Sequence, residues 1–277
     1  MIHPYSDAVR QLVMAAGDAI LPYWRSELDV QRKQDDSPVT EADLAANAVL
    51  VAGLEALDPQ IPVLSEEACD LPLAQRAGWS SWWLVDPLDG TKEFIVGSEE
   101  FTVNVALVRH GRVVFGVVGV PATGRCYYGG RGLGAWRMDR DEPPVALRVR
   151  EQTAEPRVMV ASRRHSSAAQ ERMVEDLQQA FGDLELVQVG SSLKICLVGE
   201  GAADCYPRLG PTSQWDTAAA QGVLEGAGGE LLRVDGRALS YESRADYLNP
   251  NFVALPQGVS WAARLLQVAQ SAEGTRR

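Results

Sequence analysis

The chain has 277 residues, of which 46% are hydrophobic and 23% charged, with a formal net charge of −11. A chain of this size buries about three quarters of its unfolded surface without help from disulfides or structural metal, and its composition excludes disordered, collagen-like and coiled-coil classes. The acidic balance argues against polymeric nucleic acid or an anionic membrane surface as partner, since both reward a basic footprint.

Taken in order along the chain, Ser6 with Val9, Leu12, Val13, Ala16 and Ile20 has helical spacing and predicts a helix from Asp7 to Trp24. A polar stretch from Gln31 to Ser37 follows. Thr40-Glu41-Ala42-Asp43 opens a second helix, with Leu44, Val49, Leu50 and Leu54 on its apolar side and a Thr40/Asp43 spacing that fits a capping box. Ile61 to Leu64 reads as a strand running into Ser65-Glu66-Glu67. Trp82 to Val85 is a continuous apolar run, hence a buried strand, which stops at the tight turn Asp86-Pro87-Leu88-Asp89-Gly90-Thr91. An antiparallel meander comes next: Thr102 to Val108, Val113 to Val118, Cys126 to Tyr128 and Ala135 to Arg137. A charged, proline-containing segment from Asp139 to Pro144 marks a domain boundary, dividing 1–145 from 146–277. Beyond it, strands over Val158 to Ala161, Leu186 to Val189, Leu231 to Val234 and Phe252 to Leu255 alternate with helices over Ala168 to Ala180, Trp215 to Gly226 and Ala262 to Ala272, the pattern of an α/β layer.

The sequence holds four cysteines (Cys69, Cys126, Cys196 and Cys205) with no C-x-x-C pair. With only His3, His110 and His165 as imidazoles, a structural zinc site is not expected. The amino terminus lacks the basic and apolar blocks of a signal peptide. The longest apolar stretch, Val113 to Ala122, contains two glycines and a proline and is too short to span a bilayer. The expected compartment is the cytoplasm, with any membrane association peripheral at the inner membrane. Of the 26 basic residues only Lys33, Lys92 and Lys194 are lysines, so each compact ammonium raises a question about its purpose.

Acidic groups sit at the ends of apolar strands or the starts of helices: Glu66-Glu67, Asp86 with Asp89, Asp43 and Asp216. Each has an ordinary reading as a solvated loop, a turn, a helix cap or a dipole-favoured first-turn residue. Together they read differently. Asp86 and Asp89 flank a proline in one rigid turn, so both carboxylates and the Leu88 carbonyl can face a common centre, the oxygen set that a hard cation such as Mg²⁺ takes with several waters. Convergence of Glu66, Asp86, Asp89 and Asp216 would place like charges together at a cost of about 4 kcal/mol per close pair at an effective dielectric of 20. Divalent ions offset that repulsion and invert the sign of the cleft, admitting a phosphate to an acidic protein. Gly190-Ser191-Ser192-Leu193-Lys194 follows a strand and reads either as a backbone N–H cradle for phosphate or as a plain strand-to-helix connection capped by serine; the rarity of lysine favours the first.

The motif Asp86-Pro87-Leu88-Asp89-Gly90-Thr91, with Ser65-Glu66-Glu67 before it and Trp215-Asp216-Thr217-Ala218-Ala219 far downstream, resembles the signature of the inositol monophosphatase-like, lithium-sensitive phosphatases. Asp89-Gly90-Thr91-Lys92-Glu93-Phe94, Ser37-Pro38-Val39-Thr40, Gly190 to Lys194 and Tyr206-Pro207-Arg208 are similar to the 3'(2'),5'-bisphosphate nucleotidases of the CysQ type, and the resemblance spans Ala16 to Asn251. It implies a sugar-phosphatase layered sandwich: an α+β amino-terminal part with a mostly antiparallel sheet, then an α/β part, with the site between them. It also implies two to three Mg²⁺. Glu66, Asp86 and the Leu88 carbonyl would hold one; Asp86, Asp89 and Asp216 a second; a third would share Glu66 and water. Thr91 and Asp43 would be the catalytic pair on the attacking water. Glu66, Leu88, Asp89, Gly90, Thr91, Ser162, His165, Gly190, Ser191, Ser192, Lys194, Arg208 and Asp216 would surround the substrate, a small nucleotide. The implied activity removes the 3'-phosphate of adenosine 3',5'-bisphosphate, and of its 5'-phosphosulfate analogue, clearing a by-product of sulfate assimilation. Inhibition by Li⁺ and a monomeric or homodimeric state go with it. Inositol or fructose phosphatase activity, or a nucleotide or metal sensor without turnover, are the alternatives. Lys92 and Cys69 receive no role.

Overall fold

The computed structural model describes residues 3–26, 31–32, 38–140, 142–151, 157–162 and 168–274; His165, Lys33 and Ser37 lie outside them. Helix α1 (Ser6–Ile20) ends before Trp24, contrary to expectation. Pro22 has no N–H to continue the ladder, and the chain tightens into a 3-10 turn over Leu21–Tyr23. Strands β1 (Gln31–Arg32) and β2 (Pro38–Val39) pair antiparallel ahead of α2 (Glu41–Leu57). The apolar stripe of α2 is Ala42, Ala46, Leu50 and Leu54, all fully buried, whereas Leu44 is 55% exposed and does not belong to it.

Seven strands form the main sheet in chain order: β3 (Val63–Ser65), β4 (Ser81–Asp89), β5 (Thr102–Arg109), β6 (Arg112–Val120), β7 (Arg125–Gly130), β8 (Gly134–Met138) and β9 (Val145–Ala146). Only β3 and β4 run parallel; every other neighbouring pair is antiparallel. Two short helices interrupt the order, α3 (Leu73–Arg76) and α4 (Thr91–Ile95). The rest of the chain supplies β10 (Arg157–Ser162), α5 (Ala168–Phe181), β11 (Leu184–Val189), α6 (Leu193–Gly199), β12 (Tyr206–Arg208), α7 (Trp215–Gly226), β13 (Gly229–Arg233), β14 (Phe252–Pro256) and α8 (Ala262–Gly274). Strands β10 and β11 pair parallel, and β12-β14-β13 form a separate antiparallel sheet.

Period-two alternation sorts the strand side chains into layers. In β4, Trp83 and Val85 face the core built with α1 and α2, while Trp82 and Leu84 face the core built with α6 and α7. In β14, Phe252 and Ala254 close that second core from the other side, and Val253 and Leu255 face a third core with α5 and α8. The result is an α/β/α/β/α sandwich with a mostly antiparallel main sheet. Each fully buried aliphatic or aromatic side chain contributes roughly 1.5–3 kcal/mol, and a one-residue slip in either sheet would exchange two cores at once.

Helix α7 lies directly on the main sheet because glycines permit it. A Cβ at Gly116 of β6 would come within 2.1 Å of the Ala219 carbonyl oxygen, and one at Gly222 within 2.7 Å of the Gly116 nitrogen. That contact fixes the amino end of α7, and Asp216 with it, over the end of β4. Elements β1, β2, α3, α4, β9, α6 and β12 were not predicted from the sequence. Helix α6 is apolar on nearly every side and gives no 3.6-residue contrast. Strand β12 is three residues long and contains Pro207, tolerable only on a sheet edge, which is where it sits.

Candidate active site

The acidic wall of the site grows from the end of β4. This strand does not stop at Asp86, as its turn residues suggested, but continues to Asp89 through a register shift between the two aspartates. Asp86 Oδ1 accepts the Leu88 N–H at 3.1 Å, which folds the segment around Pro87. Gly90 then adopts φ of +90°, where an added Cβ would press to 3.0 Å on the Glu100 carbonyl oxygen, and α4 begins at Thr91. The Thr91 hydroxyl has two acceptors for its one hydrogen, the Leu88 carbonyl at 3.2 Å and Asp43 Oδ1 at 3.4 Å. Asp43 caps α2 and also approaches Thr91. Its Oδ2 accepts from the backbone N–H and the hydroxyl of Thr40, at 2.8 and 2.7 Å, in the capping box of α2, leaving Oδ1 toward Thr91. Glu66 opens the 3-10 turn after β3, which is parallel to β4, and Asp216 lies in the first turn of α7, with Oδ2 accepting the Ser213 N–H at 2.9 Å.

Glu66, Asp86, Leu88, Asp89, Gly90, Thr91 and Asp216 line one cleft of about 220 Å³. Asp89 is the electrostatic centre of its floor. Burial holds its carboxyl above the usual range, against the pull of Lys194, the Ser192 N–H and Asn104, and Glu93 pushes it further up. Its Oδ2 is buried and makes no hydrogen bond among the described residues. Burial also drives the Asp216 carboxyl well up, and the charges of Asp89 and Glu66 add to the push. A buried, unsatisfied carboxylate oxygen beside a second carboxylate of raised pKa is a donor set that a hard divalent cation satisfies, so these residues fit Mg²⁺. Among the described residues no three His, Cys, Asp or Glu side chains close into a cage; Mg²⁺, which keeps several of its waters, does not require one.

Beside the acidic turn the cleft lining becomes basic. Ser191 takes φ of +48°, an uncommon conformation for a residue with a side chain. Gly190 is compressed from both sides: a Cβ there would meet Glu93 Cγ at 2.7 Å and the Glu100 carbonyl oxygen at 2.9 Å. Its N–H donates to Glu100 Oε2 at 2.8 Å, so that donor is engaged within the protein. Ser192 pairs with Thr102 at 2.9 Å and donates to Asn104 Oδ1 at 2.8 Å, tying the turn to β5. Lys194 follows, buried with its Nζ 5.7 Å from the centre of the Tyr206 ring. Burial lowers its pKa to about 8, with Arg208 adding to the drop and Asp89, Glu93 and Asp216 opposing it. Arg208 is 6% exposed; one Nη donates to the Pro211 carbonyl at 3.0 Å, and its Nε has no hydrogen-bond partner among the described residues. Ser162, at the end of β10, reaches the same cleft with Gly190, Ser191, Ser192, Lys194 and Arg208.

Four residues of the site were not singled out from the sequence. Asn104 had a signal, being a polar residue inside the β-branched run of β5. Glu93 is 8% exposed within the motif itself, Tyr206 forms part of the wall, and Glu100 reaches Gly190 from a position 90 residues away with nothing local to mark it. A larger groove of about 770 Å³, between β8, the end of α7 and Trp261, contains none of the predicted residues.

The fold and the acidic cleft define a class, and comparison with known proteins agrees with it: the profile of the inositol monophosphatase family matches residues 1–273, and the chain belongs to that family. Within it the chain is 46% identical over 249 residues to the 3'(2'),5'-bisphosphate nucleotidase CysQ of Salmonella typhimurium, covering 89% of this chain and 97% of that protein. It is 38% identical over 261 residues to the protein of the same name in Aggregatibacter actinomycetemcomitans, 94% of this chain and 95% of that one. The crystal structure of CysQ from Bacteroides thetaiotaomicron superposes with a TM-score of 0.81 at 36% identity, over 93% of this chain and 99% of that one. An IMPase from Thermotoga maritima shares the fold, with a TM-score of 0.79 at 23% identity over 99% of both chains.

Proposed function

We propose that this protein is a Mg²⁺-dependent 3'(2'),5'-bisphosphate nucleotidase that hydrolyses the 3'-phosphate of adenosine 3',5'-bisphosphate to give AMP and phosphate. Its 5'-phosphosulfate analogue is a second substrate, and the task is clearance of this by-product of sulfate assimilation. The observation that carries the reading is the presence, in the lining of one cleft, of the unsatisfied Asp89 oxygen and of buried Lys194 and Arg208. Acidic and basic walls of this kind suit a metal-assisted site for a substrate with two anionic ends. The identity to CysQ proteins supports the nucleotide.

In this reading Glu66, Asp86, the Leu88 carbonyl, Asp89 and Asp216 would hold two to three Mg²⁺, which when bound neutralise phosphoryl oxygens and acidify water. Thr91 orients the attacking water through its hydroxyl oxygen, and with its O–H turned from the Leu88 carbonyl to Asp43 Oδ1 it takes the water's proton while passing its own to that carboxylate. Asp43 keeps its position because its other oxygen is committed to the cap of α2. Lys194 and Arg208 hold the second phosphate. Ser162, His165, Gly190, Ser191 and Ser192 surround the ribose, and the absence of a side chain at Gly190 lets its turn pack against Glu93 and Glu100. No side chain acts as a covalent nucleophile.

We treat 1–145 and 146–277 as two units whose junction forms the site, and the protein as a cytoplasmic monomer or homodimer, free or peripheral on the inner membrane. Among the described residues no helix is long and apolar enough to cross a membrane. Phosphate release from adenosine 3',5'-bisphosphate, inositol 1-phosphate and fructose 1,6-bisphosphate, each with and without Mg²⁺, tests the reading. The nucleotide is expected to be turned over fastest, and only with the ion. Preference for either sugar phosphate would replace the substrate, and absence of turnover on all three would leave a binding protein.

A further inference from the structure

Two of the proposed metal ligands, Glu66 and Asp216, come from segments far apart in the chain, and one side chain outside the cleft holds those segments together. The Tyr247 hydroxyl donates to the carbonyl of Cys69 at 2.6 Å, three residues after Glu66. The Tyr247 carbonyl accepts the Gln214 N–H at 2.8 Å, two residues before Asp216. Its ring packs against Trp215, the neighbour of Asp216, with centroids 5.0 Å apart. Arg76 covers the ring from outside, its guanidinium 4.5 Å from the centroid, while it donates to the carbonyls of Leu71 at 3.0 Å and Arg244 at 3.1 Å. Ser243 closes the clasp by donating to the Arg76 carbonyl at 3.1 Å. Arg76 is 3% exposed, a desolvated position in which a cation over an aromatic ring is held strongly.

From this we infer that Tyr247, braced by Arg76, is a positioning residue for metal binding: it sets the spacing between the Glu66 turn and the amino end of α7, and thereby the distance between Glu66 and Asp216. The inference rests on the metal reading of the cleft. Phenylalanine at 247 keeps the ring contacts and removes only the strap to Cys69. Loss of one hydrogen bond at such a strap corresponds to a change of roughly three- to tenfold in an equilibrium constant.

The test is Mg²⁺ binding by calorimetry, with Mg²⁺-induced thermal stabilisation as a second readout, on the full chain. Wild type is compared with Tyr247→Phe, Arg76→Met and Arg76→Lys. Tyr127→Phe is the control, because that hydroxyl bonds Glu200 at 3.2 Å and is not part of the cleft. Tyr247→Phe and Arg76→Met are expected to weaken Mg²⁺ binding about three- to tenfold, with turnover at saturating Mg²⁺ changed less than about twofold. Arg76→Lys is expected to recover most of the loss, and Tyr127→Phe to bind Mg²⁺ as wild type does whatever its melting temperature. Wild-type Mg²⁺ affinity in both Tyr247→Phe and Arg76→Met would overturn the positioning role and leave the metal reading intact. A wild-type protein that binds no Mg²⁺ would remove both.

Discussion

Two strand-to-helix turns lie side by side in the lining of one cleft, built on one plan and carrying opposite charge. Asp86–Thr91 leads from β4 into α4, and Gly190–Lys194 leads from β11 into α6; both turn on a glycine with little room for a side chain and both precede a short helix. The first turn has a bulged strand end that gathers carboxylates and a carbonyl, with one carboxylate oxygen left unsatisfied. The second spends its leading N–H on Glu100 and presents an ammonium whose pKa burial has lowered. Local geometry therefore does not decide which charge such a turn carries into the cleft. The side chains buried behind it do: Asp43 and Asp216 behind the acidic turn, Tyr206 and Arg208 behind the basic one.

If the poles have separate tasks, changes at one should not mimic changes at the other. The largest effect is expected at the acidic turn. Asp89→Asn keeps the size of the side chain but removes the charge, and should lower turnover about a thousandfold or more while weakening Mg²⁺ binding. Phosphate release and calorimetry on the same preparation check both. Thr91→Ala should reduce kcat on the order of a hundredfold with Mg²⁺ affinity nearly unchanged, which separates water orientation from metal holding; a mutant with full turnover would take Thr91 out of the mechanism.

Smaller effects are expected at the basic turn, and they should appear in KM. Lys194→Met removes a charge-assisted contact to an anion and should raise KM for the bisphosphate roughly ten- to a hundredfold, with Mg²⁺ binding retained. The pH dependence has a definite sign. Below about 8 the Lys194 ammonium is charged and favours an anionic substrate; above it the amine is neutral, so KM should climb as pH rises through that value. In Lys194→Met the climb should flatten, and an identical profile in mutant and wild type would take Lys194 off the substrate. The smallest effect is expected from Glu100→Ala, which strips the Gly190 N–H of its acceptor. It should lower stability by about 1 kcal/mol in denaturant melts and leave Mg²⁺ binding alone.

The acidic turn was legible in the sequence because its residues are local, whereas Glu66 and Asp216 were joined to it only through the family resemblance. Asp86, Pro87, Asp89, Gly90 and Thr91 lie within one turn, and the apolar run before them announces the buried strand that carries it. The sheet was legible for the same reason, since alternation within each strand is a short-range signal. What remained hidden depends on pairing between distant segments. Glu100 meets Gly190 across 90 residues, and Tyr247 meets Cys69 across 178; neither partner alters the pattern around the other. Helix α6 was concealed by burial on nearly all sides, which removes the polar face that marks a helix. Strand β4 outran its turn signals because a bulge let it pass Pro87 and keep pairing with β5 as far as Asp89 and Thr102.

Divalent ions are expected to gather at the acidic turn, and anomalous scattering from crystals soaked in Mn²⁺, which takes oxygen ligands as Mg²⁺ does, tests that directly. Two or three peaks should lie among Glu66, Asp86, the Leu88 carbonyl, Asp89 and Asp216. Peaks confined to other parts of the surface, in a preparation that hydrolyses the nucleotide with Mn²⁺ present, would contradict it.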